Sequence, residues 1–231
     1  MPRETLDRQI NHLQDEVLLL GSMVEQAMLD AVDALKRRDL ASAKRIFNED
    51  HFINEKRYAI ENAILILIAT QQPMARDLRL MAAILEVITE LERMGDYAKG
   101  ISKVTMRLGD SEFSLGMREF TTMTNLSVNM LHRALGAFIA ENPQEAYEIP
   151  KDDDAVDSLY NEVYHMMVSA MIANPEIIDQ ANLLMWVAHN IERMADRVTN
   201  ICERTVFIAT GEFMEVKSSD DEFWHAQNQQ K

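Results

Sequence analysis

The sequence predicts an all-α protein built as two tandem, pseudo-repeated antiparallel three-helix bundles. Three observations carry this. Chain-breaking residues are rare, with 7 glycines and 5 prolines in 231 residues, so long helices with few turns are expected. Apolar residues recur at helical spacing, and no stretch sustains strand alternation. The second half also rewrites the first: Glu90-Leu-Glu-Arg-Met-Gly-Asp-Tyr returns as Asn190-Ile-Glu-Arg-Met-Ala-Asp-Arg, one hundred residues on.

The elements follow in order. Leu13, Val17, Leu20, Val24, Ala27, Met28, Ala31 and Leu35 mark a first helix over about 5–38. Asp39 offers an N-cap for a second, Leu40 to about Thr70. Pro73 fits the first turn of a third, with Asp77 behind it at the favourable end of the dipole and Gly109 as its stop. A fourth helix is expected over about 111–140. Asn142-Pro-Gln-Glu145 is a helix start, Pro150 breaks or kinks the chain after it, and a fifth helix resumes near Asp152 and runs to Ala173. Asn174-Pro175 opens a sixth that ends near Gly211. The expected units are 1–109, 110–216 and a flexible polar tail, 217–231.

Composition narrows the function. Asp and Glu total 38 against 23 Lys and Arg, a formal charge of −15 that repels phosphate backbones and argues against nucleic-acid binding. The charge suits divalent cations or a partner with basic patches. Cys202 is the only cysteine, which rules out an internal disulfide and fits a reducing cytoplasm. No signal-peptide pattern stands at the start. The longest apolar run, Ala63–Ala69, is far below the roughly 20 residues a bilayer requires, so any membrane role is expected to pass through a partner.

The repeated motif places Glu92 with Asp96, and Glu192 with Asp196, on one shoulder of an apolar helical stripe. Two carboxylates held close need a cation to stay ionised. Arg93 and Arg193 lie about 100° round the helix, poorly placed to serve their own pair. The halves also align Asp50 and Asn54 with Asp153 and Asp157. If each of those pairs faces its glutamate–aspartate partner across the bundle, each half presents a four-residue oxygen cluster. Oxygen donors suit Mg²⁺, Ca²⁺ or Mn²⁺ and can hold iron. An interhelical salt-bridge network without metal is the competing reading.

Asp50-x-x-x-Asn54, Pro73-Met-Ala-Arg-Asp-Leu-Arg79, Glu92-Arg-Met-Gly-Asp96 and Glu192-Arg-Met-Ala-Asp-x-x-x-Asn-Ile201, in this order, resemble the PhoU family of bacterial phosphate-transport and phosphate-signalling regulators. The likeness runs from about Thr5 to Gly211. It implies a cytoplasmic homodimer without catalytic activity, a negative regulator of phosphate uptake and of the phosphate-starvation response. Such a regulator links the ATPase of the phosphate ABC transporter to a sensor histidine kinase. It also implies metal sites at the acidic motifs: Glu92/Asp96, Glu192/Asp196, Asp153/Asp157 and, incompletely, Asp50/Asn54. Two departures stand out. Asn54 replaces a carboxylate, and Ala195 stands where the first copy has Gly95.

Two alternatives stay open: a metal-binding or storage bundle, and a ferritin-like di-iron oxidase suggested by Glu162-Val-Tyr-His165 and Glu222-Phe-Trp-His225. The second lacks a first-half counterpart to His165, for which a half-buried, hydrogen-bonded ring is the plainer expectation. The other histidines (His12, His51, His132, His189, His225) form no tight ligand set. Met81, Met94, Met166, Met167, Met171, Met185 and Met194 fall at core spacing, as gap-filling packing or as an adaptable docking surface. Asp77 and Arg79 read equally as a dipole-complementing pair or part of a partner interface.

Overall fold

The computed structural model describes residues 2–109 and 115–215. Helix α1 spans Pro2–Arg37, and its stripe of Leu6, Ile10, Leu13, Val17, Leu20, Val24, Met28, Ala31 and Leu35 is buried along the whole length. Arg38 turns into the left-handed region (φ 57°), and Asp39 caps α2 by accepting from Ser42 N at 2.9 Å and Ser42 Oγ at 2.7 Å. Helix α2, Leu40–Gln71, buries a narrow stripe: Ala43, Ile46, Asp50, Ile53, Ile60, Ile64 and Leu67. A carboxylate thus occupies a position where the periodicity calls for hydrocarbon.

Pro73 does not open the third helix. It stands just past the end of α2, and α3 begins only at Arg76 and runs to Leu108. Gln72 (φ 48°) and Ala75 (φ 43°) both take positive φ, so the chain reverses between them. A proline that cannot donate serves there to stop α2, as prolines commonly do after a C-cap. Asp77 does fall in the first turn of α3, buried, and Gly109 ends the helix at φ 53°.

Helix α4 spans Met117–Ile139, starting later than expected because Leu115 and Gly116 form a turn, with Gly116 at φ 79°. The expected start at Ser111 lies outside the described residues, as does the tail from residue 217. Asn142 caps the short α5, Pro143–Glu148, through Glu145 N at 3.3 Å. A 3₁₀ turn over Ile149–Asp152, carrying Pro150, bends the chain into α6, Asp153–Ala173. A second 3₁₀ turn, Pro175–Ile177, leads into α7, Ile178–Thr210, which stops at the left-handed Gly211.

Helices α1, α2 and α3 form one bundle, and α4, α6 and α7 the other, with α5 and its 3₁₀ turn standing where α2 is continuous in the first half. The bundles join along α3 against α7 and α1 against α4, so one apolar core runs through both. Helix α3 is therefore buried over a wide arc, from Met81 and Ile84 to Leu91, Met94 and Ile101. Met81, Met94, Met167 and Met194 are fully enclosed in that core, and Met171 and Met185 pack on its edge. These methionines pack the interior.

The joint between bundles is polar at one point. Arg197 donates to Glu90 Oε2 at 3.1 Å and to the Tyr97 hydroxyl at 3.2 Å, and Asn200 Nδ2 donates to the same Glu90 oxygen at 3.2 Å. Arg93 holds the other Glu90 oxygen at 3.0 Å, and Arg193 lies over the Tyr97 ring, 5.3 Å from its centre. The motif arginines thus serve the seam between repeats. Glu90→Ala strands several half-buried donors, and we expect a loss of about 2 kcal/mol of unfolding free energy in urea titration. Unchanged stability would mean water replaces the carboxylate without cost.

Candidate functional site

The eight acid-motif positions fall in two grooves, α2 against α3 and α6 against α7. In the first, Asp50 is 5% exposed within the apolar stripe of α2. Lys99 of α3 donates to Asp50 Oδ2 at 2.7 Å, and Asn54 Nδ2 donates to the same oxygen at 3.1 Å. Glu92 and Asp96 of α3 lie within Coulombic reach. Burial raises both carboxyl pKa values, and Asp50 raises them further, while Arg57 eases Glu92 and Lys99 eases Asp96. Asp96 stands at the exposed mouth of the groove. Gly95 permits the close approach, since a Cβ there would sit 3.0 Å from Ile53 Cδ1.

The second groove has the same plan with different charges. Asp153, 4% exposed, replaces Asp50 at the start of α6, and Asp157 follows one turn on. Glu192 and Asp196 come from α7, with Asp196 at the mouth. Asp153 Oδ1 and Glu192 Oε2 are both buried without a hydrogen-bond partner. Burial first, then Asp157, Asp196 and Glu192, push the Asp153 carboxyl up to about 8. Burial, Asp196 and Asp157 push Glu192 up to about 7. Asp196 is also raised by burial, against the pull of Arg197, Arg193 and His189. Position 199, equivalent to Lys99, is a threonine. Arg193 and Arg197 turn away to the seam.

An orphaned, desolvated carboxylate oxygen is an expensive feature unless something positive meets it. The second groove carries that feature: Asp153, Asp157, Glu192 and Asp196 bring four carboxyls to it, and Asp153 Oδ1 is buried without a hydrogen bond. His189 Nδ1 stands 3.2 Å from Glu192 Oε2 at the rim, a charge partner when protonated that sequence spacing did not single out. The first groove fits an added cation poorly, because Lys99 and Asn54 already hold Asp50. Among the described residues no three of these side chains converge on a single point, so the acids line open grooves rather than a cage. Glu162 and His165, the core of the di-iron alternative, are both exposed, and His165 meets the Tyr164 ring edge-on. His165 is thus exposed rather than half-buried. Glu222 and His225 lie outside the described residues.

A family model described as the PhoU domain matches the chain twice, over residues 17–105 and again over 120–205. The chain belongs to the PhoU family. It is 34% identical to the phosphate-specific transport system accessory protein PhoU homolog of Clostridium acetobutylicum, over 91% of this chain and 97% of that one. It is 31% identical to the phosphate-specific transport system accessory protein PhoU of Escherichia coli, over 88% of this chain and 85% of that one. The crystal structure of the phosphate transport system regulatory protein PhoU from Streptococcus pneumoniae superposes with a TM-score of 0.84 at 32% identity, over 90% of this chain and 99% of that one. PhoU from Pseudomonas aeruginosa gives 0.83 at 27%, over 89% and 99%. Family membership thus covers both repeats, and each matched span contains one acid groove. Among the described residues, no helix is long and apolar enough to cross a membrane.

Proposed function

We propose that this PhoU-family chain is a negative regulator of phosphate uptake, acting by protein contact as a cytoplasmic homodimer. It couples the ATPase of a phosphate ABC transporter to a sensor histidine kinase, and it performs no catalysis. The observation that carries this is the double family match, end to end with relatives named as accessory proteins of phosphate-specific transport. The charge of −15 agrees with docking onto basic partner surfaces and makes direct capture of phosphate a poor fit. Metal binding belongs to the proposal in the second groove. There Mg²⁺, Mn²⁺, Ca²⁺ or iron would supply the positive charge that keeps four crowded carboxyls ionised. Asp153 and Asp157 on α6 then hold to Glu192 and Asp196 on α7 rather than repelling them.

Deleting the gene should leave phosphate-starvation genes expressed in phosphate-rich medium. A full-length tagged chain should bring down the transporter ATPase or the kinase, with chelator present as without. Starvation genes that stay repressed in the deletion strain would end the regulatory reading. The orphaned oxygen of Asp153 favours one second reading, a metal-binding or storage protein. That reading expects tightly held stoichiometric metal and no such partners.

A further inference from the structure

We infer that Lys99 is the resident cation of the first acid groove, so that the two repeats are unequal and only the second takes an external metal ion. The contrast rests on the metal reading of the second groove; the closure of the first does not.

The aligned positions of the two repeats differ in charge. Asp50, Asn54, Glu92, Asp96 and Lys99 stand opposite Asp153, Asp157, Glu192, Asp196 and Thr199. The first groove holds three carboxylates and an ammonium; the second holds four carboxylates and none. In the first groove both donors meet the same oxygen, Lys99 Nζ at 2.7 Å and Asn54 Nδ2 at 3.1 Å, on the most buried carboxylate of the set. The pseudo-equivalent Asp153 leaves Oδ1 with no partner.

Confinement does not force Lys99 into this contact. The side chain is 35% exposed and borders a groove of about 400 Å³ between α1, α2 and α3, which also opens onto Arg45, Glu49 and Asp30. Given that space, the ammonium rests on Asp50, with the Phe47 ring 5.6 Å from Nζ. The seated ammonium does the electrostatic work of a metal ion while placing a like charge where one would have to bind. Asn54 completes the change, exchanging a ligand's negative charge for a donor already turned on Asp50.

The test is Mn²⁺ stoichiometry of the full chain by equilibrium dialysis with elemental analysis, each variant being checked by circular dichroism. Asp50→Asn should leave wild-type Mn²⁺ content unchanged, whereas Asp153→Asn should lower it. Lys99→Met keeps the aliphatic stem and removes the charge. It should add one Mn²⁺ per chain, and that ion should be lost again when Asp50→Asn is combined with it. Lys99→Arg should behave as wild type. A fall in wild-type Mn²⁺ on Asp50→Asn, or a Lys99→Met chain with unaltered stoichiometry, overturns the inference. The Asp50→Asn arm decides the matter even if Lys99→Met fails to fold. Should wild type take up no Mn²⁺ while Lys99→Met takes up one, the metal reading of the second groove fails and the role of Lys99 stands.

Discussion

Asp153→Asn combined with Glu192→Gln is expected to weaken Mn²⁺ binding at the second groove by about 100-fold or more, about 2.7 kcal/mol. Asp153 holds a buried oxygen with no hydrogen-bond partner, and Glu192 one whose neighbour is His189 Nδ1 at 3.2 Å, so both gain from a cation. The changes keep shape and remove charge, leaving Asp157 and the mouth residue Asp196 as carboxylate donors. Hard divalent ions draw their affinity from the number and charge of oxygen ligands, and halving the anionic set lowers it steeply. The helical signal should hold, because both replacements are near-isosteric and relieve like-charge crowding. Isothermal titration of chelator-treated full-length protein checks it. An affinity equal to wild type would place the metal elsewhere.

The groove pattern was partly legible in the sequence alone. The halves align Asp50/Asn54 with Asp153/Asp157, and the repeat places Glu92/Asp96 and Glu192/Asp196 on matching shoulders. Those facts are local to one helix, and helical periodicity reports them well. Which helix faces which, and in what register, is not local. Lys99, three residues after Asp96, looks like a solvated charge until the turn over residues 72–75 brings α2 beside α3 and delivers Asp50 to it. That turn is also where the role of Pro73 differs from expectation, because the sequence cannot tell a proline that ends one helix from a proline that starts the next. The seam is a similar case. A wheel drawn for one helix sends Arg193 away from its own acids, but only the crossing of α3 on α7 supplies Tyr97 as its destination.

The same orphaned carboxyls predict a stability that falls as pH rises when no metal is bound. Asp153 titrates at about 8 in the folded chain against an ordinary 3.8, and Glu192 at about 7 against 4.5. Between those limits the folded state binds more protons than the unfolded one, so the unfolding free energy decreases with pH. The decline begins near pH 4 to 5, continues to about pH 8, and levels off once both groups are ionised. Facing Asp153 are Asp154 and Asp157 from its own helix and Glu192 and Asp196 from α7. Arg193, Arg197 and His189 on α7 act on Glu192 or Asp196 and moderate the repulsion without cancelling it. After discounting for relaxation and water entry, we expect a difference of about 1–3 kcal/mol between wild type and Asp153→Asn at pH 8.5, with the variant more stable. At pH 3, below the ordinary 3.8, that difference should nearly vanish, since the carboxyl is then mostly neutral in folded and unfolded wild type alike. Mn²⁺ should act in the opposite sense, stabilising the wild type more as pH rises from 6 to 8, because protons compete for the same oxygens. Thermal melts in chelator and in saturating Mn²⁺, for both proteins at each pH, measure all of this. A metal-free wild type that matched Asp153→Asn across the whole range would mean that water or a neighbouring donor already satisfies the buried oxygen, and the second groove would lose its claim on a cation.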